Sequence, residues 1–307
     1  MTIRTFTKAA AALLAVIGFA ACEELPAACP EDTGVVLQVL GSGGPIADDG
    51  RASTGYILWV DGESRVLIDA GGGTFLRFGE AGASFEALDF VGLSHLHTDH
   101  SADFPALIKS GNFSNRERPL PVAGPDAGGP FPGLASYLQS MLGKGGAYGY
   151  LAGFLDGTAG APLLTPREVP AGKVTVVYTS DDLGIDALQV PHGIVPAVAF
   201  RVRAGDKTVV FASDQNGGDP AFVDFAEDAS LLVMHMVIPE GAEGAARRLH
   251  APPSVIGEIA AAAAPETLLL SHFMARSLRE LDANVAEVQK RYAGEVVLAA
   301  DLACVSL

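Results

Sequence analysis

His95-Leu96-His97-Thr98-Asp99-His100 follows directly on Asp89-Phe90-Val91-Gly92-Leu93-Ser94, and this junction decides how the chain is read. The earlier stretch is short and apolar, which predicts a buried strand. Three imidazoles and a carboxylate therefore stand where a strand spills into a loop. On extended backbone, residues two apart point the same way, so His95 and His97 can grip one cation from the same side. Asp99 and His100 continue around the turn toward a second. Imidazole nitrogen and carboxylate oxygen are ordinary zinc ligands, and two adjacent ions make a hydrolytic centre. The competing reading, a polar loop with chance histidines, sits poorly with three of the chain's seven histidines falling in six residues.

Working outward, further ligand types recur at the ends of apolar runs. His192 follows Leu188-Gln189-Val190-Pro191, Asp214 follows Val210-Phe211-Ala212-Ser213, and His272 follows Leu268-Leu269-Leu270-Ser271. The set divides into His95, His97 and His192 for one ion and Asp99, His100 and His272 for the other, with Asp214 bridging. Zinc is the default divalent ion for such donors, and manganese, iron or cobalt also suit them. Asp69 ends the apolar run Arg65 to Ile68 ahead of Gly71-Gly72-Gly73. It reads either as a carboxylate holding the metal loop by hydrogen bonds or as a turn cap.

Strands are expected at Val35 to Leu40, at Tyr56 to Val60 and at Arg65 to Ile68, the last two joined by the hairpin pair Asp61-Gly62. Gly41-Ser42-Gly43-Gly44 reads as a tight turn, since no helix clearly follows to make a phosphate site. The glycine- and proline-rich stretch from Gly124 to Gly160 is a lid over the site or a packed connection, with a short helix near Leu134 to Leu142. Further strands are expected at Val174 to Tyr178, Ile185 to Val190, Ala197 to Val202, Thr208 to Phe211, Leu268 to Leu270 and Val296 to Ala299. A helix is expected at Ser254 to Ala264, and no internal repeat shows at the residue level.

These motifs together resemble the metallo-β-lactamase superfamily, and within it the ribonuclease Z and arylsulfatase-like branch, over roughly residues 34–307. The likeness rests on Leu40-Gly41-Ser42-Gly43, Leu67-Ile68-Asp69-Ala70-Gly71-Gly72-Gly73, the run His95 to His100, Ser213-Asp214, Leu270-Ser271-His272-Phe273 and Ala299-Ala300-Asp301-Leu302. It implies an α+β fold, a four-layer αβ/βα sandwich with the metals at one edge. Three departures bear on function. Class B β-lactamases usually carry cysteine where this chain has Asp214. Ribonuclease Z enzymes insert a long RNA-gripping arm between the third histidine and the bridging aspartate, and His192 and Asp214 are too close in sequence to hold one. A His-Glu pair expected after the next strand is here His235-Met236. The resemblance also assigns His250 as the proton donor to the leaving group, with Asp99 as the other catalytic residue, whereas His235 reads as a core histidine.

Residues 1–21 carry Arg4 and Lys8 ahead of the apolar run Ala9 to Ala21, which predicts an export signal. Phe19-Ala20-Ala21-Cys22 resembles a lipobox, so Cys22 is expected to be lipidated and to tether the protein to a membrane on the periplasmic side of a bacterial envelope, with cleavage after Ala20 the alternative. Residues 22–33 are then a linker and residues 34–307 the hydrolase domain. Net charge is −16 and no basic stripe is visible, which argues against a polyanionic partner. Cys29 and Cys304 either pair in an oxidising compartment or remain free thiols. The resulting expectation is an exported dinuclear-metal hydrolase of phosphodiesters or aryl sulfates, acting by hydroxide generated between the ions on a small-molecule ester and not on nucleic acid. A lactonase or other carboxyl-ester hydrolase, and a non-catalytic metal-binding lipoprotein, are the alternatives.

Overall fold

The computed structural model describes Cys29, residues 34–158 and residues 160–307. The signal segment, Cys22 and most of the linker lie outside the described residues.

Apolar side chains alternate between two faces in each early strand, and both faces are covered. In β1 (Val35–Gly41), Val35, Leu37 and Val39 enter one core while Leu40 enters another. β2 (Gly55–Val60) divides Tyr56, Leu58 and Val60 from Ile57, and β3 (Glu63–Ile68) divides Val66 and Ile68 from Leu67. A strand apolar on both faces needs a layer on each side. β4 (Phe90–Gly92), β5 (Leu120–Pro125) and β6 (Leu164–Val169) extend this first sheet in parallel from β3.

The second sheet repeats the plan. β7 (Thr175–Thr179), β8 (Leu183–His192), β9 (Val195–Ala204) and β10 (Lys207–Phe211) are antiparallel neighbours, and β11 (Leu231–His235), β12 (Thr267–Ser271) and β13 (Glu295–Leu298) continue in parallel. β14 (Cys304–Ser306) then returns to pair with β1, giving the orders β14-β1-β2-β3-β4-β5-β6 and β13-β12-β11-β10-β9-β8-β7. The sheets pack face to face through residues such as Tyr56, Phe90, Phe200 and Phe211.

Helices α1 (Thr74–Glu80), α2 (Thr98–Ser101), α3 (Phe104–Gly111), α4 (Leu134–Leu142) and α5 (Gly153–Asp156) belong to the first half, and Phe78, Phe104, Leu107, Leu138 and Phe154 from them close its outer core. In the second half come α6 (Ala221–Ala226), α7 (Gly244–Leu249), α8 (Pro253–Ala263), α9 (Ala275–Leu278) and α10 (Leu281–Gln289). Phe222, Ile256, Ile259 and Val288 of these helices are buried against the second sheet. The chain is thus the four-layer α+β sandwich of the metallo-β-lactamase type. Cys29 is disulfide-bonded to Cys304 with their Cα atoms 5.8 Å apart, and Leu307 N–H donates to Val35 C=O at 3.0 Å.

Candidate metal centre

Each candidate ligand leaves a strand at its C-terminal end. His95 follows β4, His192 is the last residue of β8, Asp214 follows β10, and His272 follows β12. Two of these exits, and that of β3, use a left-handed residue other than glycine: Ser213 at φ 59°, His272 at φ 53° and, after β3, Asp69 at φ 62°. That conformation costs about 1–2 kcal/mol for an L-residue, and such strain persists where the surrounding fold over-determines it. Here it turns the chain sharply, so that ligands aim inward at once. The His95 to His100 run departs from the expected loop, because Thr98–Ser101 forms α2 with His97 as its N-cap. Helical winding carries Asp99 and His100 around to the second group of donors.

The structure brings all seven expected ligands together. Donor atoms of His95, His97 and His192 lie within 4.8 Å of one another, as do those of Asp99, His100 and His272. His95 Nε2 faces His97 Nδ1 at 3.0 Å, and His100 Nε2 faces His272 Nε2 at 3.0 Å. Asp214 reaches both groups: Oδ2 is 3.7 Å from His192 Nε2 and 3.8 Å from His100 Nε2, and Oδ1 is 3.4 Å from His272 Nε2. The rings are oriented from behind. Asp69 accepts from the Ser94 backbone N–H at 2.6 Å and lies 2.8 Å from His100 Nδ1, so its carboxylate ties the metal run rather than capping a turn. His192 Nδ1 donates to Leu249 C=O at 2.9 Å, leaving Nε2 buried without a partner.

These residues fit divalent cations. Imidazole nitrogens face each other at 3.0 Å in both triads, and the carboxylates of Asp99 and Asp214 stand beside the His100–His272 pair, a donor set that a cation can share. Burial drives the His95 imidazole well below its usual range and lowers His97 too. Burial opposes charge on His100 as well, but Asp69, Asp214 and Asp99 outweigh it and push the group up to about 9. Asp99, although burial would raise it, is pulled down to about 2 by His272 and His100, and Asp214 is held well below the carboxylate range by His272 and His250. The cluster sets ionised carboxylates among imidazoles, of which burial disfavours charge on His95 and His97, and its donors are the nitrogen and carboxylate oxygen that suit transition metals.

His250 caps the end of α7 and lies before α8, with Nδ1 buried, unpartnered and 3.7 Å from Asp214 Oδ2. Burial holds its imidazole down at about 3. Its donor atom also groups with those of His192 and Asp214, so ligation is open to it as well as proton transfer. Met236 is fully buried, and no carboxylate replaces the missing acid at that position. His235, expected to be a core histidine, instead joins the site: Nδ1 is 2.7 Å from Asp214 Oδ1, and Nε2 is 3.2 Å from Tyr56 Oη, which donates to Ser271 at 2.9 Å. Arg276 was likewise not anticipated; its Nε donates to Val237 C=O and its charge is felt at both His250 and Asp214. Arg276 belongs to no local motif and only the fold brings it in, whereas His235 stands where the resemblance expects the histidine of a His-Glu pair, a signal that could have found it. The Gly124 to Gly160 stretch divides its roles: Leu134, Leu138 and Phe154 pack it into the outer core, while the Phe131 ring comes within 6.4 Å of the His97 ring. Beside His192, a cavity of about 740 Å³ opens between Asp126, Gln189, Ile194 and Asp219.

Residues 64–273 match a family described as a beta-lactamase superfamily domain. Ribonuclease Z of Thermobifida fusca is 30% identical over 87% of this chain and 92% of its own length. Ribonuclease Z of Haloferax volcanii is 27% identical over 85% of this chain and 92% of its own. The metallo-beta-lactamase fold protein YhfI of Bacillus subtilis shares the fold with a TM-score of 0.70 at 22% identity, covering 90% of this chain and all 100% of that one. The two ribonuclease Z relatives overturn the expected hydrolase of aryl sulfates or other small esters, and with it the expectation of no nucleic-acid partner. Whole-chain acidity misled because net charge averages over a surface and says little about a recessed centre that gathers cations.

Proposed function

Since the chain belongs to the metallo-β-lactamase superfamily, on its ribonuclease Z branch, we propose that it is a metal-dependent hydrolase of RNA phosphodiester bonds. The observation that carries this is Asp214, whose one carboxylate reaches into both triads of donors. His95, His97 and His192 would hold one divalent ion and Asp99, His100 and His272 the other, zinc being the first choice. Such ions supply Lewis acidity, making water acidic enough to attack phosphorus near neutral pH and offsetting charge on the phosphoryl oxygens. The protein's own groups do the rest. Asp69 and Leu249 C=O fix the tautomers of His100 and His192, while the Tyr56–His235 pair holds Asp214 in place. Arg276 offers a half-buried cation to an anionic substrate, and His250 stands beside Asp214 with ligation and proton transfer both open to it.

Cutting of a 3′-extended RNA by the metal-supplemented chain, abolished by chelation and restored by zinc or manganese, is the expected result. Intact RNA in the presence of about two ions per chain by elemental analysis would end this reading. We also propose the oxidising side of a bacterial envelope as its location, supported by the Cys29–Cys304 disulfide. Membrane fractionation of wild type against Cys22→Ser tests it, with loss of the membrane-bound fraction in the variant expected.

A further inference from the structure

A protein with a net charge of −16 that cuts RNA must hold it by something other than a broad basic face. The surface just beyond the metal run offers an alternative. Among the described residues the exposed aromatic side chains are Phe113, Tyr148 and Tyr150, at 81%, 40% and 69% exposure, and all three stand in one patch. Rings of this size are usually buried, so a cluster left in solvent marks a contact surface. They surround a cavity of about 490 Å³ whose wall includes Phe75 and Ala102. Lys109 Nζ lies 5.1 Å from the centre of the Phe113 ring and 5.5 Å from that of Tyr150, a single cation over two π faces. Ala102 is the C-cap of α2, two positions past His100, so the patch is built on the continuation of the metal run itself.

We propose that this patch is a stacking platform for an unpaired base of the RNA substrate, with Lys109 meeting the adjoining phosphate. The inference rests on the ribonuclease reading above and names how that substrate is held. Stacking tolerates any base, because every base has a π face, and it owes little to the protein's overall charge. An acidic surface therefore weakens it far less than it weakens phosphate contacts. Lys109 is the only charged residue in the wall, which suits one phosphate and falls short of the cationic cluster that draws a protein to anionic lipid.

The test uses the metal-replete full chain and a single-stranded, phosphorothioate-linked oligoribonucleotide carrying one 2-aminopurine, whose fluorescence falls on stacking. Wild type should quench the probe. Phe113→Ala/Tyr148→Ala/Tyr150→Ala should lose the quenching and weaken binding about tenfold or more. Phe113→Tyr with Tyr150→Phe should restore both, and turnover of a nitrophenyl phosphodiester should be unchanged throughout. Equal quenching and affinity in wild type and the triple-alanine variant would overturn the platform. So would a patch whose loss abolishes binding to anionic vesicles and spares RNA. A wild-type chain that cuts no RNA removes the ribonuclease reading, whereas unchanged quenching in a chain that does cut RNA removes the platform alone.

Discussion

Asp214 is the one side chain that both triads share, so its loss should exceed that of any single histidine. Asp214→Ala is expected to lower kcat/KM on RNA at least about a thousandfold, roughly 4 kcal/mol of transition-state stabilisation. Near-normal turnover in a metal-replete Asp214→Ala protein would show that the carboxylate does not join the two groups. His250 has two roles open to it, and the leaving group separates them. A nitrophenolate departs without a proton, whereas a ribose oxygen needs one. As proton donor, His250→Ala should slow RNA cleavage by about a hundredfold or more and change nitrophenyl phosphodiester turnover much less, with metal content unaltered. Equal losses on both substrates together with a missing ion would make His250 a ligand.

At the scale of elements, the site depends on how closely β3's exit approaches α2. A Cβ on Gly71 would meet the Asp99 carbonyl oxygen at 2.1 Å, a backbone atom that cannot swing aside. Gly71→Ala should therefore displace the metal run, lowering bound metal and destabilising the fold by about 2 kcal/mol or more, as read by elemental analysis and denaturant titration. Much of this layout was legible in the residues. His95 to His100 behind an apolar strand, and His192, Asp214 and His272 at later strand ends, pick out seven residues that the structure brings together, and Leu134 to Leu142 has the bounds of α4. β5 and β6 were not legible because Pro121 and Pro166 demote a strand pattern that sheet pairing overrides. His235 was misread because a histidine in an apolar strand looks the same whether its ring meets core or Asp214. The doubled plan of the two sheets was hidden for a similar reason: antiparallel strands followed by parallel ones recur as geometry, without recurring residues.

Taken whole, the molecule folds so that its two sheets share one core and offer their strand ends at a single edge. The Cys29–Cys304 bond spans 275 residues, enough to restrict the unfolded chain substantially. Cys304→Ser should lower unfolding stability by about 2–4 kcal/mol while leaving metal content and RNA cleavage intact, since the bond lies on β14 and touches none of the donors. A variant as stable as wild type in denaturant would show the bond to be absent or inert. With Leu307 beside Val35 and Cys29 bonded to Cys304, this stretch of polypeptide is already almost a closed ring. Where the backbone is cut is then a matter of indifference to the architecture: a circular permutant joining Leu307 to Cys29 and opened at the exposed Gly205–Asp206 turn keeps every strand partner and should fold around the same centre.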